Sequence, residues 1–545
     1  MKKLYIFSGL VLFVINTNVF AQRWVVRYNG TGNAIDAIKG MIVDNSGNVY
    51  ITGSSNSGTN SDDYITIKYN TNGVQQWIAR YNGIGSGSDV PASIFVDAGG
   101  SVYVTGYSDV LTGGYVDNDA TTVKYSPTGA QLWASSYHGP QQRADAGTAV
   151  KVDAGGNVYV TGFTTVRNGA YTKKDYLTIK YNGSGVQQWT ATYNGPANQD
   201  DAAVGLGLDQ TGNVYVTGTS FAGRDPIGEE DYLTIKYNSA GIQQWTARYN
   251  GPISEPDRAT AIVVDKTGNC FVTGYSRGVD LDIATVKYNT NGTQQWVARY
   301  DGPAHSSDIA YAIALDNSGN VYVAGSDQAI IYNTDFCTIK YNSSGVQQWE
   351  ARYASATKDN DEAYAIAVDA GNNVYVTGYI NGVSPSWDIA TIKYNSSGAQ
   401  QWVEKYDGPG HGNDNGAAVG VDAGGNVYVA GTSLGKTSDL DFVTIKYNSS
   451  GLITTARTIA EDQVATNLIN KIAIYPDPAH DFFKLELPGD NTYDITIIDE
   501  TGRRVFEEKN MRSRSQINCE KFPNGIYFVK ARSDEKLFIE KFIKH

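Results

Sequence analysis

Two series of aspartates recur at fixed positions along the chain, and carboxylates repeated in this way point to cation binding or to acid–base work. The first series is Asp36, Asp89, Asp145, Asp201, Asp257, Asp308, Asp361 and Asp414, each standing eight residues before an aspartate that opens a tight turn. The second is Asp63, Asp119, Asp175, Asp231, Asp282, Asp335, Asp388 and Asp441, each opening a segment like DYITIKY (Asp63 to Tyr69). A carboxylate from each series plus loop carbonyls would make the oxygen-only ligand set that Ca²⁺ prefers, the one cofactor the sequence suggests. No compact Ca²⁺ loop with spaced Asp and a terminal Glu is present. The plainer use of these carboxylates is to accept hydrogen bonds from backbone amides of a turn or neighbouring strand.

Aromatic residues supply the second set of binding candidates. Trp387 follows Ser384-Pro385-Ser386 and has no counterpart elsewhere in the repeating pattern. It would stack on a sugar ring or seat a partner's side chain. Tyr115, Tyr171, Phe221 and Tyr332 fall in equivalent variable segments. Catalytic machinery is not visible: His138, His305 and His411 share no spacing with Cys, Glu or Ser that resembles a triad or a metal site. Cys270, Cys337 and Cys519 are an odd, scattered set that reads as small buried hydrophobes rather than a disulfide framework.

The elements that must carry these residues repeat. Tryptophans at 24, 77, 133, 189, 245, 296, 349 and 402 are separated by 53, 56, 56, 56, 51, 53 and 53 residues. A period near 50 marks stacked units that cannot bury their apolar faces alone. In the first unit AIKGMIVD (Ala37 to Asp44), NVYITG (Asn48 to Gly53), DYITIKYN (Asp63 to Asn70) and VQQWIARYNG (Val74 to Gly83) read as strands. Asp44-Asn45-Ser46-Gly47 and Asn70-Thr71-Asn72-Gly73 between them read as hairpin turns. Four antiparallel strands make one propeller blade.

Eight NVYxTG strands and eight TIKY strands predict an eight-bladed, all-β propeller over residues 22–453. The first Trp strand, RWVVRY, precedes the first blade, so it is expected to close the ring as the outer strand of the eighth and to leave no open edge at the seam. From the Gly ending the second strand to the Asp opening the third, the intervening segment holds 9, 12, 12, 12, 7, 9, 9 and 9 residues. All of the spacing variation lies in this one loop, on one face of the frame. Both aspartate series fall at that face. If neighbours in one ring stand roughly 9 Å apart, their repulsions sum to about 4–15 kcal/mol, so an offsetting interaction is required. A third series, including Asp44, Asp97 and Asp153, falls at the opposite face, where weak surface pairing with Lys68, Lys124 and Lys180 is expected. The periodic tryptophans read as packing residues, worth about 4–6 kcal/mol each at most.

Composition sets further limits. The chain has 545 residues, a formal charge of -13 and only 18% charged residues. Without a cationic surface, nucleic acid and anionic membrane are excluded as partners. Residues 1–21, with Lys2 and Lys3 before an apolar run and Ala21 at its end, read as a signal peptide. The run is too short to span a membrane, and no transmembrane segment is expected in the mature chain. After a linker at 454–470 the repeat gives way to FFKLEL, YDITIID, GIYFVKA and KLFIEKFI, which predict a small Ig-like β-sandwich over 471–545.

The unit DxxGNVYVTG…TIKYNxxGxQQW, over residues 24–448, resembles the bacterial beta-propeller repeat family. That family is commonly described as seven-bladed, the alternative to the eight units counted here, and its members look like extracellular or cell-envelope scaffolds. The segment IYPDPAHDFFKLEL, with DETGRRV and FPNGIYFVK, resembles the type A C-terminal sorting domain of the type IX secretion system. Asp477 stands where that family usually has Asn. The resemblance implies passage through the outer membrane of a Bacteroidota-type bacterium by the type IX machinery, removal of the domain on arrival, and a cell-surface or extracellular destination. The functional expectation is a scaffold binding an extracellular protein or glycan through its variable face. The alternatives are a surface polysaccharide hydrolase or lyase, and a structural adhesion or surface-layer protein.

Overall fold

The computed structural model describes residues 24–545 apart from 57–60, 84–86, 113–114, 142, 170, 224–229, 254, 331–332, 357–358, 383–385, 450–456, 459–472, 476–481, 488–491, 513–514, 533–536 and 545. The segment expected to be a signal peptide (residues 1–21), most of the expected linker and Tyr332 therefore lie outside the described residues. Two units separate, one ending at Ile459 and the other beginning at Ala460.

In the first unit, seven sheets each take four consecutive strands in chain order, as in Asp36–Val43, Val49–Asn56, Asp62–Tyr69 and Gln75–Tyr81 of sheet 1. The eighth combines Asp414–Val421, Val427–Leu434 and Leu440–Tyr447 with the N-terminal strand Trp24–Tyr28. The first strand of every sheet touches the first strands of both neighbours, and sheet 8 touches sheet 1, so the eight sheets form a closed ring of propeller type. Second and third strands are covered on both faces by adjoining sheets. This is why Val49-Tyr50-Ile51 and Tyr64-Ile65 run apolar without alternation, and all five are buried. Each first strand carries a bulge in its pairing, such as that between Ile38 and Gly40.

The seam is built on Trp24, which pairs opposite Lys446 and packs with Tyr28, Ile38 and Met41 against Tyr428, Ala430 and Phe442. Its indole nitrogen donates to the Thr71 carbonyl at 3.0 Å, and its ring lies on Gly73, whose φ of 76° and absent Cβ allow the approach. The other periodic tryptophans repeat the contact: Trp77 donates to Pro127 O and Trp133 to Gly183 O, each bridging to the next sheet. They are partly exposed, so only Trp24 approaches the full burial expected of all eight.

Two expectations need correction. Arg457–Thr458, placed in the linker, form a short strand parallel to Trp24 and Val25, so the N-terminal strand is not the outermost of its sheet. The variable segments are also not simply loops. In sheets 2 and 3 the extra residues extend the hairpin itself, so that Val102–Thr112 pairs with Tyr115–Tyr125 and Val158–Asn168 with Tyr171–Tyr181.

The second unit has one sheet of Ala473–Tyr475, Phe482–Glu486 and Ser515–Asn518, and another of Arg504–Met511, Tyr493–Asp499, Gly525–Arg532 and Leu537–Lys544. Phe483, Leu485, Ile495, Ile497, Val529 and Phe542 fill its core. No helix among the described residues is long and apolar enough to cross a membrane.

Candidate functional site

Strand register brings both aspartate series to one level at one end of the ring. In sheet 1 Asp36 stands opposite Ser55, and Ser55 opposite Asp63. The same row recurs as Asp89, Ser108, Asp119 and as Asp414, Ser433, Asp441. It lies beside the hairpin joining second and third strands, the face the sequence predicts.

First-series carboxylates are buried and accept from the backbone amide six residues earlier. Gly30, Gly83, Gly139, Gly195, Gly251, Gly302, Ser355 and Gly408 donate at 2.5–2.7 Å. Asp145, Asp257, Asp308, Asp361 and Asp414 accept a second amide from the end of their own second strand. Burial pushes these carboxyls up, Asp36 to about 6 and Asp308 to about 7, while the amide bonds pull the other way.

Second-series carboxylates take cations, and the sequence reading missed this. The arginine of the WxARY strand faces the aspartate of its own sheet. Arg80 pairs with Asp63 at 2.7 Å, Arg248 with Asp231 at 3.0 Å and Arg299 with Asp282 at 2.5 Å. Arg27 reaches Asp441 at 2.9 Å across the seam, and Arg352 lies 3.8 Å from Asp335. Sheets 2 and 3 have Ser136 and Thr192 in that place, and the His138 imidazole (2.5 Å from Asp119) and the Lys173 ammonium (3.2 Å from Asp175) lie beside the aspartate instead. The signal was a basic residue recurring at fixed distance from each aspartate, legible only once register is known. In sheet 7, Lys405 replaces the arginine and lies 6.0 Å from the Tyr353 ring centre. Among the described residues no cation pairs with Asp388.

Sheet 6 departs most from the pattern. Asp327 replaces the serine of the row, so Asp308, Asp327 and Asp335 stand directly opposite one another on three adjacent strands. Arg352 holds one Asp327 oxygen at 2.5 Å, and the Tyr300 hydroxyl contacts the other at 2.7 Å. That hydroxyl also lies 2.9 Å from Glu350. A phenol has one proton to donate, so Tyr300 cannot fully satisfy both carboxyls, and burial pushes the Asp327 carboxyl up.

Carboxylates from the two series do meet, across adjacent sheets. Asp282, Asp301 and Asp308 form one cluster, and Asp388, Asp407 and Asp414 another, each with oxygens within 4.8 Å of one another. Asp301 and Asp407 replace the Asn that starts other inter-sheet connections, and each is held by a histidine four residues on, His305 or His411, at 2.8 Å. With most first-series oxygens already taken by amides, melting curves of the mature protein in Ca²⁺ and in EDTA are expected to superimpose. An upward shift in Ca²⁺ that vanishes in Asp388→Asn would show an ion held by the second cluster.

The aromatic candidates separate. Trp387 begins the third strand of sheet 7, is 40% exposed and stacks on Tyr379 with ring centres 4.5 Å apart. Tyr171 begins the extended hairpin strand of sheet 3 and is 81% exposed. Phe221 is partly buried at the end of a strand, opposite Glu230. Tyr115 begins the matching hairpin strand of sheet 2.

At the opposite face the predicted Asp–Lys pairing does not form. Asp44 accepts from the amides of Ser46 and Asn48 and from the Tyr50 hydroxyl, which closes its own turn. Lys68 instead lies over the Tyr50 ring at 4.9 Å, and Lys180 over Tyr159 while donating to the Ser239 carbonyl of the next sheet. A shallow groove of about 520 Å³ on this face is lined by the turns of Asp153, Asp209 and Asp265.

An all-β ring of repeated four-stranded sheets defines a β-propeller, which is followed by a separate terminal β domain. Residues 26–60 and 295–326 match the family model of the beta-propeller repeat, and residues 473–545 that of the secretion system C-terminal sorting domain. The chain thus carries beta-propeller repeats and a type IX sorting domain, and that domain indicates export to the cell surface or beyond. It is similar to an uncharacterized WD repeat-containing protein of Acanthamoeba polyphaga mimivirus, 23% identical over 411 residues, covering 61% of this chain and 28% of that one. The chain therefore spans little more than a quarter of that relative's length. Among solved structures, a eukaryotic initiation factor matches at 8% identity with TM-score 0.36, over 71% of this chain and 96% of that one. A protein of unknown function from Dyadobacter fermentans matches at 12% identity with TM-score 0.32, over 59% and 95%.

Proposed function

We propose that the exported propeller is a binding scaffold which presents the hairpin face of its ring to an extracellular protein or glycan. The observation that carries this reading is the division of labour within each sheet. Turns, tryptophan bridges and carboxylate–amide bonds repeat almost unchanged, while the hairpins between second and third strands differ in length and sequence on one face. Rigid frames with variable segments on one side are how many recognition surfaces are built. Among the described residues the exposed aromatics, Trp387 and Tyr171, stand on that face. The test is to probe glycan and protein arrays with the mature protein and with a variant whose sheet 3 hairpin is cut back to the length of sheet 5. Array binding lost in the shortened or Trp387→Ala variants is the expected result. Binding that survives both changes would place recognition elsewhere.

A further inference from the structure

The rim of sheet 7 differs from the other seven in two respects at once. Its second-series aspartate has no cation among the described residues, and the residue before that aspartate is an exposed tryptophan. Trp387 lies flat on Tyr379, whose ring is 5.8 Å from Tyr364. One indole face is thus held by the protein and the other is open. Trp387 and Asp388 are successive strand residues, so they project to opposite sides of the sheet. On one side of the rim is the aromatic row, with Glu362 accepting the Tyr364 hydroxyl at 2.8 Å; on the other are Asp388, Asp407 and Asp414.

Charge decides between the ligands an open indole would suit. A sugar would leave three crowded carboxylates and Glu362 as they are, with only Lys405 and His411 nearby to balance them. A cationic group would relieve them, and in the seven sister sheets a guanidinium, imidazole or ammonium already lies within 4 Å of the equivalent aspartate. We infer that the rim of sheet 7 is the docking point for a basic, arginine-containing segment of a partner protein, one guanidinium lying on Trp387 and a neighbouring one entering the carboxylate cluster. Planar guanidinium suits both contacts, since it stacks on aromatic faces and pairs with carboxylates. Burial and the flanking Asp407 and Asp414 push Asp388 up to about 6, as expected of a carboxylate awaiting a counter-charge.

This inference rests on the scaffold reading and names the partner's chemistry. The test uses the mature protein and a fluorescein-labelled peptide of alternating Arg and Gly, followed by anisotropy at low and physiological salt. The same peptide with citrulline for arginine and unlabelled cellohexaose and chitohexaose as competitors complete the set. Trp387→Ala is expected to weaken the arginine peptide about five- to tenfold and Asp388→Asn about two- to fivefold, with Trp387→Phe between wild type and Trp387→Ala. Ile242→Ala, at an exposed turn of the constant frame, is expected to leave binding unchanged. Equal binding of the citrulline peptide, or indifference to Trp387→Ala, overturns the inference. So does displacement by a neutral hexasaccharide in a Trp387-dependent manner, although that result would leave the scaffold reading standing. An array partner that requires the hairpin face but not Trp387 would likewise sink the inference alone.

Discussion

Trp24→Ala is expected to destabilise the propeller by about 3–5 kcal/mol, the usual range for truncating a buried tryptophan. Trp133→Ala, at the equivalent place in sheet 2, is expected to cost about half as much or less. The two residues make the same contacts, each donating to a carbonyl of the next sheet and lying on a glycine. They differ in burial, since Trp24 is 3% exposed and Trp133 only partly covered. They also differ in position, since Trp24 is flanked by Tyr69 of sheet 1 and Tyr428 of sheet 8 and stands where the chain's beginning meets its end. Removing it opens a cavity beside the pairing of Trp24–Tyr28 with Leu440–Tyr447, which joins the two ends of the repeat region. Urea denaturation of the mature protein, followed by far-ultraviolet circular dichroism, compares the two variants. Equal losses would show that the seam is no weaker a point than any other junction.

The second large effect is on pH. Burial raises Asp36, Asp119, Asp335 and Asp388 to about 6 and Asp308 to about 7. A carboxyl whose pKa is higher folded than unfolded stabilises the fold below its unfolded pKa and loses that contribution as pH rises through the folded value. Asp153, Asp209, Asp265, Asp316 and Asp369 are held below the usual range by their turn hydrogen bonds and act in the opposite sense, losing stability as pH falls past about 4. Stability is therefore expected to peak in mild acid, near pH 5, and to fall toward pH 8. Sheet 6 should supply the largest single share, because Asp308, Asp327, Asp335 and Glu350 have one arginine among them and Tyr300 cannot donate to both of its neighbours. Asp327→Ser, which restores the row found in five other sheets, is expected to flatten the decline between pH 5 and pH 8 by about 2 kcal/mol, after discounting for water at the rim. Denaturation midpoints measured across that range decide the matter. A decline of unchanged slope in Asp327→Ser would remove sheet 6 as its source.

Much of this architecture is legible in the sequence because a repeat states each element eight times. The hairpin turns, the four strands of a unit and the displaced first strand all follow from period and spacing. What stayed hidden depends on register. The arginine of WxARY lies in plain view, but its partner is fixed by which residues stand opposite across two strands. Asp327 shows the same limit, since it reads as one polar residue among many until register sets it between Asp308 and Asp335. The hairpin extensions of sheets 2 and 3 were hidden for another reason: inserted residues of mixed type read equally well as loop or as added rungs. Arg457–Thr458 is too short to carry a strand pattern and is specified only by the edge it finds at Trp24. In the candidate site, Trp387 stood out by lacking a counterpart. What gives it meaning, that no cation among the described residues pairs with Asp388, needed the sister sheets as a standard.

The seam also sets the order of events in time. Arg27 donates to Asp441 across a separation of 414 residues, so the first strand to leave a ribosome or a translocation pore has no partner until nearly the whole ring exists. Bringing such distant segments together is slow, and until then the array is an open arc with an uncovered edge at each end. The closed circle, locked by the strand at 24–28 and flanked by 457–458, comes apart only by first releasing one junction. Closure thus works as a latch whose two halves lie at opposite ends of the repeat region.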